Sequence, residues 1–206
     1  MITTVYLMRH SITERVNLNY LKDNDSLLVR NQKQILTIEG EELARKVSNN
    51  EIFSDIDMII SSNYVRAMAT AKYFVKNNKL NIVEDFGERR FGIDDYKDIP
   101  TDFYERQLNE DDYKIGQGES QKEVRERMSK ALLEVINNNE GKTVLIVSHH
   151  TAIIFLLKKW CSIKNNKYLL YKDKVILENG CRNCETVKLL FKDGELIEIE
   201  NMEVCE

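Results

Sequence analysis

Thr3-Thr4-Val5-Tyr6-Leu7-Met8-Arg9-His10-Ser11-Ile12-Thr13-Glu14 and, late in the chain, Lys142-Thr143-Val144-Leu145-Ile146-Val147-Ser148-His149-His150-Thr151-Ala152-Ile153 decide the fold. Each is an apolar, β-branched run that stops on a histidine and gives way to a helix-like segment. Runs with no polar alternation are the pattern of strands buried on both faces. In an open α/β sheet, ligands gather where strands end and helices begin, because backbone N–H groups and positive helix ends converge there. The chain has three histidines, His10, His149 and His150, and all stand at these two strand ends. Side by side in one sheet they form an anion-seeking, two-histidine site of the kind enzymes use.

The rest of the sequence alternates in the same way. Strands are predicted over Thr3–Met8, Asp57–Ser61, Leu80–Glu84, Thr143–Ser148, Glu185–Phe191 and Glu195–Glu200, the last two joined by an Asp193-Gly194 hairpin signal. One helix opens after Thr37 and runs to about Ser48, and a second spans about Asn63 to Asn77 with Ser62 as its cap. A third follows Ser120, with Glu123 at capping-box spacing, to about Asn137; the fourth runs from His150 to about Trp160. Alternation of this kind predicts an α/β fold, a three-layer α/β/α sandwich with a mostly parallel central sheet. The 206 residues fit one domain, 1–206, with Glu88–Gly116, charged and holding the only proline, as a lid or specificity insertion.

Bulk properties narrow the function. A net charge of −4 argues against a general grip on nucleic acid or an anionic membrane. No run is long and apolar enough for a membrane span, the start does not read as a signal peptide, and four cysteines late in the chain make no disulfide framework. A cytoplasmic location is the expectation, with a homodimer left open. Cys181-Arg182-Asn183-Cys184 has metal-site spacing, but no second pair accompanies it, and it reads as a turn before an edge strand. Ala152–Leu157 reads as a core helix.

Arg9 beside His10 pairs a phosphoryl acceptor with a guanidinium able to hold phosphate oxygens in a fork. Arg66 falls in the first turn after the strand that ends at Ser61-Ser62, and His149 ends another strand. Taken singly, these also read as solvated arginines or a satisfied core histidine. Jointly, Arg9-His10-Ser11 with Thr13-Glu14, Leu36-Thr37 with Gly40, Ser61-Ser62 with Arg66-Ala67, Gly118-Glu119-Ser120 and Val147-Ser148-His149-His150 resemble the histidine phosphatase superfamily, the phosphoglycerate mutase-like family. The resemblance covers essentially the whole chain.

That resemblance implies the chemistry. His10 becomes the nucleophile that carries phosphohistidine, and Arg9, Arg66 and His149 hold the phosphate. Gly87-Glu88-Arg89-Arg90-Phe91-Gly92 resembles the family's acidic segment and makes Glu88, expected to be partly buried, the proton donor. The substrate is then a small-molecule phosphomonoester, with no cofactor and no metal. Phosphoglycerate mutase-type transfer is the alternative within the family, and a non-catalytic phospholigand-binding protein the alternative outside it. Departures from the family pattern are Ser11 and His150 in place of glycines, the absence of a second glycine after Ile93, and Val16 where an asparagine helps hold phosphate. Asn17 substitutes for that asparagine if the loop is re-registered, and the His150 backbone adds a donor.

Overall fold

The computed structural model describes residues 1–14 and 26–204. Six strands form the main sheet: β1 (Ile2–Arg9), β2 (Met58–Ser61), β3 (Leu80–Ile82), β4 (Thr143–Ser148), β8 (Thr186–Lys192) and β9 (Glu195–Asn201), in the order β3-β2-β4-β1-β8-β9. The first four run parallel, whereas β8 is antiparallel to β1, and β9 to β8.

The residue-by-residue facing of β1 and β4 makes the layers. Val5, Leu7, Val144 and Ile146 face a core shared with α5 (Gln121–Asn138) and α6 (His150–Leu157). Tyr6, Met8, Leu145 and Val147 face the opposite core, shared with α2 (Ile38–Ser48) and α3 (Val65–Ala71). These strand residues are almost wholly buried, and each large apolar side chain so placed contributes about 1.5–3 kcal/mol by leaving water. The predicted three-layer sandwich is the observed one.

The helix starts follow their local chemistry. The Thr37 hydroxyl accepts the Gly40 amide at 2.9 Å to open α2. Ser120 and Glu123 form the reciprocal capping box of α5. Asp193 and Gly194 both take positive φ, as the β8–β9 hairpin requires.

Four details differ from the sequence reading. The third strand ends at Ile82, because the chain turns into a 3-10 turn at Glu84–Phe86. The helix expected over 63–77 is shorter: α3 begins after Tyr64 and passes into a 3-10 turn, and the Ser62 hydroxyl is used elsewhere. The strand after the cysteine pair, β8, is internal, and β9 is the edge. Finally, β5 (Ser162–Lys164), β6 (Tyr168–Tyr171) and β7 (Lys174–Glu178) form a separate three-stranded antiparallel meander. Two short helices were also unforeseen, α1 (Leu27–Gln32) and α4 (Phe103–Asn109). Within 88–116, α4 is joined to the start of α5 by buried Gln107, whose amide nitrogen donates to the Glu119 carbonyl at 2.7 Å.

Candidate active site

The parallel register puts Arg9 opposite Ser148, so β1 and β4 end together and deliver His10 and His149 to one edge. The His10 amide donates to the Ser148 carbonyl at 2.9 Å, and the Ser62 amide to the Val147 carbonyl at 3.1 Å. Those bonds bring the end of β2 alongside. The two imidazoles lie 5.1 Å apart, centroid to centroid, and both are buried.

His10 is oriented by its neighbours. Its Nδ1 lies 2.7 Å from the Ser11 carbonyl, which only accepts, so Nδ1 carries the proton and Nε2 presents its lone pair. Arg66 Nε donates to that Nε2 at 3.0 Å, and Arg66 Nη1 donates to the Asn31 carbonyl of α1 at 2.5 Å. Burial, reinforced by the Arg66 and Arg9 guanidiniums, pushes the His10 imidazolium well below the usual histidine range. The ring is therefore neutral, as a nitrogen nucleophile must be.

His149 is lowered well below its usual range too, first by burial and then by Arg66. Its Nε2 lies 2.7 Å from the Ser62 hydroxyl. Its Nδ1 is buried and has no hydrogen-bond partner, and the same is true of Arg9 Nε. Buried polar atoms without partners are uncommon, and an anion's oxygens would satisfy these two. Arg9 is held through Nη1, which donates to the Cys181 carbonyl at 2.7 Å.

Glu88 is half-buried, as expected, and sits on the first turn of α6. Its carboxylate accepts the Thr151 and Ala152 amides at 3.3 and 3.0 Å, and the Arg89 amide at 2.9 Å. The preceding residues are tied to the strand end by Ser148, whose hydroxyl donates to the Phe86 carbonyl at 2.7 Å. Thus His10, His149, Arg9, Arg66 and Glu88 surround one strand-end region. Asn17 and Val16 lie outside the described residues. The His150 side chain turns away, its Nδ1 2.9 Å from the Cys181 carbonyl.

Sequence reasoning missed two contributors. Ser62 bonds His149 rather than capping α3, and the signal was its place at the end of β2. The cysteine loop is more than a turn: the Cys184 amide donates to the Arg9 carbonyl at 3.1 Å, and Asn183 Nδ2 to the His10 carbonyl at 3.1 Å. Contacts to backbone carbonyls from a distant loop leave no mark in the sequence. Among the described residues, no group of three or more His, Cys, Asp or Glu is placed to hold a metal ion, and no helix is long and apolar enough to cross a membrane.

The family model for the histidine phosphatase superfamily (branch 1) matches residues 5–196. The chain belongs to that superfamily. Solved structures similar to this superfamily member include a mutant phosphoserine phosphatase from Entamoeba histolytica in complex with phosphoserine, at 21% identity and a TM-score of 0.70, covering 99% of this chain and 100% of that one. A mycobacterial glucosyl-3-phosphoglycerate phosphatase matches at 16% identity and a TM-score of 0.70, over 98% of both chains. A phosphoglycerate mutase from Bacillus anthracis str. Sterne matches at 19% identity and a TM-score of 0.66, over 98% of this chain and 92% of that one. At these identities the likeness is one of fold. No curated protein matches the chain in sequence.

Proposed function

We propose that this superfamily member is a cytoplasmic, metal-independent phosphatase that hydrolyses a phosphomonoester through a phosphohistidine on His10. The observation that carries the reading is the environment of His10: a neutral imidazole with Nε2 free of its proton and bonded by a buried guanidinium, at a strand end where Arg9 Nε and His149 Nδ1 are buried without partners.

The substrate phosphate displaces Arg66 from His10 Nε2 and takes its hydrogen bonds, together with those of Arg9 Nε and His149 Nδ1. The Ser62 hydroxyl, donating to His149 Nε2, leaves the proton of that ring on Nδ1, where a phosphate oxygen receives it. The His150 amide adds a first-turn donor, since Glu88 occupies those of Thr151 and Ala152. His10 Nε2 then attacks phosphorus, the P–O bond to the alcohol breaks, and the leaving oxygen takes its proton through Glu88. Water next gives a proton to Glu88 and attacks phosphorus, the P–N bond breaks, and inorganic phosphate leaves. Donors preset for developing charge are the largest catalytic contribution in such sites.

The test is phosphate release from p-nitrophenyl phosphate and alkyl phosphates in EDTA, with acid-avoiding quench and mass spectrometry of the His10 peptide. Turnover, a phosphorylated His10 peptide and loss of both in His10→Ala are expected. Glu88→Gln is expected to slow alkyl esters more than the p-nitrophenyl ester, whose leaving group needs no proton. Equal losses would remove Glu88 as the acid. Conversion of one phosphoglycerate to the other without release would make the protein a mutase, and binding without turnover a phospholigand-binding module.

A further inference from the structure

Beside the phosphate site, between α4, α6 and the meander β5–β7, lies a cavity of about 470 Å³. That volume falls within the roughly 300–1,000 Å³ of sites that enclose small organic ligands. None of it is needed by a phosphate group. The cavity meets the catalytic residues at two places along the chain. His149 belongs to the site and His150 lines the cavity; Glu88 belongs to the site and Arg89 lines the cavity. Thr151, whose amide donates to the Glu88 carboxylate, also lines it. The Glu88 carboxylate thus lies one hydrogen bond from the cavity's lining.

Its floor is apolar, built from Ile154 and Phe155 of α6, Ile163 of β5, Leu169 of β6 and Leu177 of β7. No aspartate or glutamate is among the lining residues described. Gln107, Thr151, Asn166 and Asn179 line the cavity as well, but over the apolar floor a polyol's hydroxyls would lose water without replacement. Apolar area gains there instead. The walls are fixed in place: the Asn179 amide donates to the Lys167 carbonyl at 2.8 Å, closing the meander on itself, and Asn201 Nδ2 donates to the Ile176 carbonyl at 2.8 Å, tying it to β9. Lys167 at the rim is engaged with Glu178 at 2.8 Å.

We propose that this cavity receives the alcohol portion of the substrate, and that the substrates are phosphomonoesters of bulky, ring-bearing, largely apolar alcohols rather than short polar hydroxy acids. The proposal rests on the phosphatase reading above and names its substrate class.

Ethyl, phenethyl and naphthylethyl phosphates share nearly one leaving-group acidity, so differences in kcat/KM among them report on the alcohol's binding. We expect kcat/KM to rise at least about tenfold from ethyl to phenethyl phosphate and to hold or rise for the naphthylethyl ester, with phosphoserine and phosphoglycerate no better than ethyl phosphate. A flat or falling series, or preference for phosphoserine or phosphoglycerate, overturns the proposal and leaves the phosphatase reading standing. Ile163→Trp on β5 and Ile154→Trp on α6 each fill part of the cavity, and each should lower the naphthylethyl-to-ethyl ratio about tenfold. An unchanged ratio in a folded variant overturns it. Calorimetry with ethyl and phenethyl phosphonates decides the matter without turnover. If no ester is hydrolysed, the phosphatase reading fails, while tighter phenethyl phosphonate binding still supports the cavity's assignment and equal binding rejects it.

Discussion

The imidazole of His150 lies over Gly180, where an added Cβ would come within 2.2 Å of its Cε1 and where φ is +85°. The side chain at position 150 is thus accommodated by the absence of one at 180. Gly180→Ala combines that clash with a left-handed backbone, and it should lower the free energy of unfolding by about 1–3 kcal/mol. Adding His150→Gly should return the steric part and leave the backbone part, read by urea unfolding of both variants. Ser11 is explained in a similar way: its hydroxyl donates to the Gly40 carbonyl at 2.7 Å and its amide to Thr70 Oγ1 at 2.9 Å. Neither departure intrudes on His10. Arg66→Lys, losing the planar fork, should cut kcat/KM by about 10²–10³. His10, His149, Arg9, Arg66 and Glu88 were legible because strand ends and the acidic segment mark them. The parts played by Ser62 and the Cys181 carbonyl were not, since each depends on which loops meet.

Among the elements, the segment that carries Glu88 owes its shape to α5. Arg127 Nη1 donates to the Asp85 and Gly87 carbonyls at 2.6 and 3.2 Å, and Nη2 to the Glu88 carbonyl at 3.2 Å. Glu119, almost fully buried at the α5 start, holds Arg127 Nε at 2.7 Å and accepts the Arg90 amide at 2.9 Å. Arg127→Met leaves that buried carboxylate with the half-exposed Arg90 as its remaining guanidinium, and it should cost about 2–3 kcal/mol in unfolding free energy. Glu119→Gln in the same chain should recover part of the loss, and non-additivity in the double-mutant cycle is the measurement. The capping box of α5 was readable because Ser and Glu at that spacing have one common use. The meander was not. Its turns, Asn165-Asn166 and Lys172-Asp173, take positive φ at both positions without a glycine, and its strands are too short for a period to register.

For the molecule as a whole, a net charge of −4 coexists with an arginine-lined site that holds two buried, neutral histidines. The sandwich itself was legible because β1 and β4 are apolar on both faces, which only a sheet covered on both sides can hide. Burying those histidines ties stability to pH. Both imidazoles are pushed well below the usual range, first by burial and next by Arg66. In the unfolded chain they regain an ordinary value of about 6.5. Above that pH neither state takes up a proton, and the stability is fully present. As pH falls below about 6.5 the unfolded chain binds protons that the native state refuses, so stability declines toward the depressed native values by at most about 1.4 kcal/mol per pH unit for each histidine. In spite of its burial, the Glu119 carboxylate is held below its usual range by Arg127 and Arg90 and titrates lower still, so the interval from pH 6.5 to 5 is where the histidines report. Urea unfolding across that interval should show a clear loss of stability, and His10→Asn with His149→Asn should flatten it. An equally steep decline in the double variant would mean that other groups set the acid limit, and a flat wild-type curve would mean that the native histidines accept protons.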